Sequence, residues 1–161
     1  FQEKEAIAKE IIPRLQEQYK FKKPKSTVKF FQGNKGIKTI FQDVLDTCNK
    51  DNELLVLSSE GKFSEKMPYY QPIFTARKEK KKVPTRLLVR QGRKTKQRGK
   101  FTKVRRVPSS VVSPATINIY DDKVAILMWD DTPQGILIEN PDVSETFRNY
   151  FNFMWKNGKS S

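Results

Sequence analysis

The spacing of apolar residues changes once along the chain, and this change limits the folds that the chain can adopt. Up to residue 107, short apolar runs alternate with stretches in which apolar residues recur every three or four positions. This pattern indicates strands that alternate with helices. After residue 115, three apolar runs follow one another with only short turns between them, which is typical of an antiparallel meander. Together these patterns predict an α/β sandwich with a mixed sheet.

The boundaries of the expected elements follow from these periodicities and from turn-forming residues. We expect helices over 2–19, 35–49, 64–81 and 141–157, and strands over 28–31, 53–57, 84–89, 103–107, 116–120, 123–129 and 135–139. Pro68 and Pro72 should interrupt the third helix. Pro13 should kink the first helix or divide it into two short ones, because proline removes a donor and clashes with the preceding turn.

The first helix carries an apolar stripe beneath charged and polar cover, formed by Ile7, Ile11, Leu15 and Tyr19. Such a stripe predicts a connector or dimerisation helix over residues 1–24, or packing of this helix on its own domain. Because Phe1 opens directly into helical sequence, we expect the chain to be the C-terminal part of a longer protein.

The composition argues against several classes of active site. The sequence has no histidine, so Ser-His-Asp triads, Cys-His pairs and histidine metal sites are excluded. Cys48 is the single cysteine; it lies on an apolar helical face, where we expect it to be buried, and it indicates a reducing cytoplasm. No apolar run approaches the roughly 20 residues that a membrane span needs. We therefore expect no metal, no cofactor, no membrane association and no enzymatic activity.

The positive charge is concentrated in one segment. The sequence has 32 basic and 18 acidic residues, for a net charge of +14. Fifteen of the basic residues lie between Arg77 and Arg106, where Glu79 is the one acid, so this segment accounts for the whole excess. It could be a solvated loop, a nucleic-acid contact or a site for a small anion.

Part of this basic segment is predicted to be a mobile loop. Residues 91–100 contain two glycines and no apolar side chain. The candidate nucleic-acid contacts in the loop are Arg93, Lys94, Lys96, Arg98 and Lys100.

Several stretches, in order and spacing, resemble the effector domain of TrmB-like transcriptional regulators. They are Phe30-Phe31-Gln32-Gly33-Asn34-Lys35-Gly36-Ile37, Val104-Arg105-Arg106-Val107-Pro108, Ile119-Tyr120-Asp121-Asp122-Lys123-Val124-Ala125-Ile126 and the helix from Thr146-Phe147-Arg148 to Trp155. The preceding Ile12-Pro13-Arg14-Leu15 is similar to the linker helix that such proteins place after a winged helix.

The resemblance implies a fold and a set of partners. The fold would be a catalytically inactive phospholipase-D-like regulatory domain over residues 25–157, preceded by the linker helix. The partners would be a second copy of the chain, DNA bound through a winged helix that these residues do not include, and a small-molecule or anionic effector. The better-known archaeal members sense sugars, but the C-terminal sugar-binding region of the longer members has no counterpart in these 161 residues.

A phospholipase-D-type catalyst needs a His-x-Lys pattern, and the comparable strand here reads Thr116-Ile117-Asn118. Threonine and asparagine can hydrogen-bond a ligand, but they cannot replace imidazole as nucleophile and proton carrier. We therefore expect an inactive site that is retained as a binding pocket.

Ligands in open α/β sheets bind beyond the carboxyl ends of the strands. This rule nominates Ser58, Ser59, Gly61, Thr116 and Asn118, with Arg106 as a cationic fork for a phosphate or carboxylate.

Each of these residues also has a purely structural interpretation. The two serines could cap the next helix, Thr116 and Asn118 could be sheet-surface polar groups, and Arg106 could pair with an acid. We expect the pairs Asp121-Asp122 and Asp130-Asp131 to serve turns and not a metal.

The sequence supports two functions of different class. The leading one is a ligand-sensing and dimerising regulatory domain, and the alternative is a nucleic-acid-binding module that acts through residues 77–106.

Overall fold

One mixed sheet of eight strands organises the chain. The computed structural model describes residues 2–21, 26–58, 60–95 and 99–160. The helices are α1 (Gln2–Phe21), α2 (Gly33–Thr47), α3 (Lys62–Lys66), α4 (Tyr70–Lys80) and α5 (Pro141–Asn157). The strands are β1 (Thr27–Gln32), β2 (Leu54–Leu57), β3 (Thr85–Arg90), β4 (Thr102–Val107), β5 (Thr116–Tyr120), β6 (Lys123–Met128), β7 (Gln134–Glu139) and β8 (Lys159–Ser160).

The strand order is β1-β7-β6-β5-β2-β3-β4-β8. Strands β2, β3 and β4 are parallel neighbours, whereas β5 to β7 form an antiparallel meander that β1 extends. This arrangement confirms the predicted α/β fold with a mixed sheet. The connection from β3 to β4 has no helix among its described residues, although a helix is the usual crossover between parallel strands.

Each face of the sheet carries its own hydrophobic core, because successive side chains of a strand point to opposite faces. Leu54 belongs to a cluster with α2, α3 and α4, and Leu55 belongs to a second cluster with α5. Phe41 of α2 stacks on Phe63 of α3, with 4.0 Å between ring centroids, and Phe74 of α4 packs on both rings. The first cluster fixes α4 over the sheet, where the candidate site lies.

The prolines act differently at their three positions. The third predicted helix is divided into α3 and α4 at Pro68, as expected. The expectation that Pro72 also interrupts it is wrong: Pro72 lies in the first turn of α4, where a missing donor has no intrahelical partner to lose. The expectation that Pro13 could divide the first helix in two is wrong, since α1 continues from Gln2 to Phe21 with Pro13 inside it.

Two further boundaries differ from the predictions. The second helix begins at Gly33, directly after β1, because Gly33 adopts a φ of 75°, which a residue with a side chain rarely takes. The short strand β8 was not predicted; it pairs with Arg105 and Arg106 of β4.

The apolar stripe of α1 is uncovered. Ile7, Ile11 and Leu15 are 53%, 45% and 56% exposed, and all described side chains of this helix, from residues 2 to 17, are exposed. The interpretation that the stripe packs on its own domain is therefore wrong; the side chain of Tyr19 lies outside the described residues. Within the described part of the chain, no helix has the length and apolar character needed to cross a membrane.

Cys48 is buried against the α2 core, as predicted, with 1% of its surface exposed. Burial raises the pKa of the Cys48 thiol from 9.0 to about 12. Burial favours the neutral thiol. Because pH 8 lies about four units below this pKa, only roughly one thiol in 10⁴ is ionised in the folded protein at that pH.

We predict that a thiol-specific disulfide reagent at pH 8 leaves the folded chain unmodified over the time in which the urea-unfolded chain reacts fully. Since the unfolded thiol ionises near pH 9, the contribution of Cys48 to the free energy of unfolding should decline as the pH rises from about 9 towards 12. Equal reaction rates for folded and unfolded protein would contradict this burial.

Candidate functional site

A small cavity lies between α4 and the sheet, and we call it the inner cavity. Its volume is about 50 Å³. The polar residues that line it are Ser58, Gln71, Thr75, Lys78, Thr85, Thr102, Thr116 and Asn118. The remaining lining is apolar and is formed by Leu87 and by residues of the core under α2, α3 and α4.

Strand pairing brings three of the predicted ligand residues to this cavity. Ser58 directly follows β2, and β5 runs antiparallel to β2, so Thr116 at the start of β5 lies at the same sheet edge. Asn118, two residues further along β5, faces the same side and lies opposite Val56. Ser58, Thr116 and Asn118 are all buried. The strand-end rule therefore selected residues that share one cavity.

The three buried residues differ in how their polar groups are satisfied. The Thr116 hydroxyl accepts a hydrogen bond of 2.9 Å from the indole Nε1 of Trp129. The Ser58 amide donates to the carbonyl of Leu88. The Nδ2 amide of Asn118, by contrast, is buried without a hydrogen-bond partner among the described residues. Because an unpaired buried donor costs about 1–3 kcal/mol, this amide is the most unusual group in the cavity.

Lys78 is a residue of the cavity that sequence reasoning missed. The charge pattern places it in the basic segment, for which a solvated loop is one interpretation, but only 4% of it is exposed. Its ammonium donates hydrogen bonds of 2.7 Å to the hydroxyl of Thr85 and 2.8 Å to that of Thr102. Its spacing of four residues from Phe74 places both side chains on the buried face of α4, and this spacing is the signal that could have identified it.

A larger opening, which we call the outer groove, lies beside the inner cavity. It has a volume of about 810 Å³ and is bounded by Glu60, Gly61, Ser64, Pro68, Gln71, Pro72, Thr75, Ala76, Arg93, Lys94 and Thr95. Gln71 and Thr75 also line the inner cavity, so the two spaces meet at these side chains. Gly61 thus lies in the groove and not in the cavity with Ser58. A side chain at Gly61 would collide with the guanidinium of Arg93.

Arg106 lines neither space. Its guanidinium donates hydrogen bonds of 2.8 Å to the carbonyl of Arg93 and 3.3 Å to the hydroxyl of Thr95, with a longer contact of 3.4 Å to the carbonyl of Arg90. In this position Arg106 holds the start of the connection from β3 to β4.

The predicted nucleic-acid contacts are in different environments. Arg93 donates to the Ser58 carbonyl and is thereby part of the wall between groove and sheet. Lys94 and Lys100 are exposed. Lys96 and Arg98, like the predicted ligand residue Ser59, lie outside the described residues. The mobility of loop 91–100 stays a prediction; of its described residues, Arg93 and Thr95 are hydrogen-bonded as above.

Two structural interpretations can be compared with the geometry. The N-terminal cap of α3 is Gly61 and not a serine, and α3 has no capping bond from a side chain. Asp121 occupies the turn between β5 and β6 with a φ of 47°, which agrees with the expected turn role. In the ranges that the structure describes, no group of three or more potential acidic or cysteine ligands could hold a metal ion.

Comparison with solved structures identifies the fold. The chain is similar to Nuc, a phospholipase D family member from Salmonella typhimurium, with 12% identity and a TM-score of 0.60 over 84% of this chain and 98% of that one. NucT from Helicobacter pylori matches with 8% identity and a TM-score of 0.60 over 84% and 99%. TrmBL2, described as an archaeal chromatin protein with a novel mode of DNA binding, matches with 14% identity and a TM-score of 0.57 over 98% of this chain and 66% of its own length.

These likenesses show that the chain has a phospholipase-D-like fold, as expected. No protein-family model matches the sequence, and no curated protein matches it.

We predict that Arg106→Met lowers the free energy of unfolding by about 2 kcal/mol, because up to three acceptors lose a charged donor. The measurement is urea unfolding followed by tryptophan fluorescence. Lys103→Met, an exposed position on the same strand, is the matched control and should change the stability by less than about 0.5 kcal/mol. If both variants lose the same stability, Arg106 does not hold the connection.

Proposed function

We propose that the chain is the regulatory domain of a TrmB-like DNA-binding regulator, which dimerises through α1 and senses a small ligand at the cavity and groove. The observation that carries the proposal is the exposed apolar stripe of α1, since an amphipathic helix gains stability chiefly by burying such a stripe. A second copy of the same helix offers a matching stripe.

The comparison with TrmBL2 supports this proposal. The match to TrmBL2 extends over 98% of the chain and thus into α1, whereas the matches to Nuc and NucT stop at 84%. TrmBL2 itself binds DNA. We assign DNA binding of the present protein to a winged helix outside these residues.

The same proposal makes the domain a binding protein and not a phosphodiesterase. Thr116 and Asn118 stand where the His-x-Lys pattern is expected, and neither can act as nucleophile and proton carrier near neutral pH. The Thr116 hydroxyl is also engaged by Trp129. Turnover of a phosphodiester by the purified chain, if abolished by Thr116→Ala, would overturn this part of the proposal.

Regulation would follow from coupling between the site and α1. A ligand that prefers one arrangement of the dimer shifts the population towards that arrangement, and α1 passes the shift on to the DNA-binding part.

We predict that replacing Ile7, Ile11 and Leu15 together by serine converts a dimer into a monomer of 18.8 kDa. The measurement is light scattering coupled to size-exclusion chromatography. Because α1 contributes no described side chain to the buried core, the chain should stay folded.

The control replaces three residues of the opposite helix face, Gln2, Lys9 and Gln16, by serine. This variant should remain dimeric. A parent chain that is monomeric at high concentration, or a dimer that survives the loss of the stripe, would refute dimerisation through α1.

A second candidate function is direct contact with nucleic acid, and the distribution of exposed cations favours it. Lys80 and Lys82 lie at the end of α4, and Lys100 and Lys103 lie at the start of β4. The hydrogen bond of 2.9 Å from the Thr85 amide to the Phe101 carbonyl joins these two segments at one sheet edge. All four lysines are exposed, so their charges can reach phosphates.

We predict that changing these four lysines to glutamine weakens binding to duplex DNA and reduces the slope of log affinity against log salt by roughly 0.9 for each phosphate that the protein no longer neutralises. Fluorescence anisotropy at several salt concentrations measures both quantities.

The matched control changes Lys29, Lys35, Lys66 and Lys156 to glutamine, which removes the same charge from other exposed positions. If the control loses as much affinity, the effect is one of net charge and not of this edge. Arg93 is unsuitable as a test residue, because its side chain is part of the fold.

A further inference from the structure

We propose that the inner cavity binds the carboxylate of a small organic acid, whose remaining atoms lie in the outer groove. This inference rests on the ligand-sensing part of the proposed function and names the chemical class of the ligand.

The first observation is the unpaired Nδ2 amide of Asn118. Only 2% of Asn118 is exposed, and its side chain lines the inner cavity. A buried amide without an acceptor is unfavourable, and nearly all such groups in proteins have a partner. Within the described part of the chain the acceptor is absent, so an oxygen atom from outside the chain would satisfy the group.

The second observation is the charge of the cavity. Lys78 places a buried ammonium on its wall, held by two threonine hydroxyls. The ammonium also forms an ion pair with the carboxylate of Glu79 at 3.6 Å, and this carboxylate accepts hydrogen bonds from the amide of Phe101 and the hydroxyl of Thr102. Because the unpaired Asn118 amide is a donor and the Lys78 ammonium lies on the same wall, a ligand atom that enters the cavity should be an acceptor, and a carboxylate oxygen can interact with both groups.

The third observation is size. A cavity that holds one buried water has a volume of roughly 10–15 Å³. The inner cavity, at about 50 Å³ on the same measure, therefore accommodates three or four non-hydrogen atoms. A carboxylate has three, and a sugar ring is too large. The body of the ligand fits the outer groove, which shares Gln71 and Thr75 with the lining of the cavity and carries Arg93 and Lys94 on its wall. Gln71 and Thr75 are hydrogen-bonded to each other at 3.0 Å, so the ligand would pass beside this pair.

The experiment is a titration of the complete, ¹⁵N-labelled 161-residue chain, followed by NMR. The probe is sodium acetate, the smallest acid with a methyl group in place of the ligand body. Sodium chloride at the same ionic strength and acetamide, the neutral analogue, are the controls. The side-chain amide signal of Asn118 is assigned from its absence in Asn118→Leu.

Acetate should shift the Asn118 amide signal in a saturable manner, and chloride should leave the signal unchanged. Acetamide should bind at least about tenfold more weakly than acetate, because charge-assisted hydrogen bonds are roughly twice as strong as neutral ones. Lys78→Met should weaken acetate binding by about tenfold or more for the same reason. Lys103→Met, which removes an exposed lysine from β4, should bind acetate like the parent chain.

Asn118→Leu keeps the test decisive if Lys78→Met does not fold. Leucine has a similar shape and removes the unpaired donor, so this variant should fold at least as stably as the parent. Its other cavity amides, such as that of Gln71, should no longer respond to acetate.

An unmoved Asn118 signal, or the same shift with acetate and chloride, would show that the cavity does not recognise a carboxylate and would overturn the proposal. The dimerisation test is independent, because the α1 variants leave the cavity intact. A monomer that binds acetate supports the site and refutes the dimer, whereas a dimer in which acetate leaves Asn118 unmoved refutes the site alone.

Discussion

The fold depends on basic side chains that are hydrogen-bonded within the protein. Strands β3 and β4 are parallel neighbours with no helix described between them, so their connection cannot be held by an amphipathic helical face. Arg106 binds a carbonyl and a hydroxyl of that connection and the carbonyl at the end of β3, and Arg93 binds the carbonyl of Ser58, directly after β2. Lys78 ties α4 to the first residues of both strands through their threonine hydroxyls. Each guanidinium or ammonium in these positions loses hydration water, and several acceptors of the protein take the place of that water.

Because of such interactions, much of the basic segment has a structural role. On the opposite face, Arg86 and Arg105 contact the ring of Trp155 at 5.4 and 4.9 Å from its centroid, and Arg86 pairs with Glu53 at 2.7 Å. Arg90 pairs with Glu60 at 2.8 Å, and Lys81 donates to the carbonyl of Leu45. Seven described basic residues of the segment are thus partners of carbonyls, hydroxyls, acids or an aromatic ring before any ligand is considered. Among the described residues of the segment, the exposed charge lies mainly on lysines at the opposite sheet edge from the outer groove. A polyanion and a small acid would therefore meet different parts of the molecule.

Much of the fold could be predicted from local patterns. The meander and α5 agree with the expected boundaries within a residue or two, because their apolar residues follow the helix or strand period over a whole element. Of the residues that the strand-end rule nominated as ligand contacts, Ser58, Thr116 and Asn118 line one cavity. The rule could not separate Gly61 and Arg106 from them, since it specifies an edge of the sheet and not the position of each side chain along that edge.

The sequence by itself determined the alternation of helices and strands, the absence of imidazole chemistry and the apolar stripe of α1, because each follows from residue type and short-range spacing. Only the tertiary structure decided which of the basic residues are bound internally, and that Lys78 shares a cavity with Asn118. A lysine in a charged run has the same local signature whether it is solvated or buried. The difference arises from Thr85 and Thr102, which are 7 and 24 residues away and which only the parallel pairing of β3 and β4 brings to its ammonium.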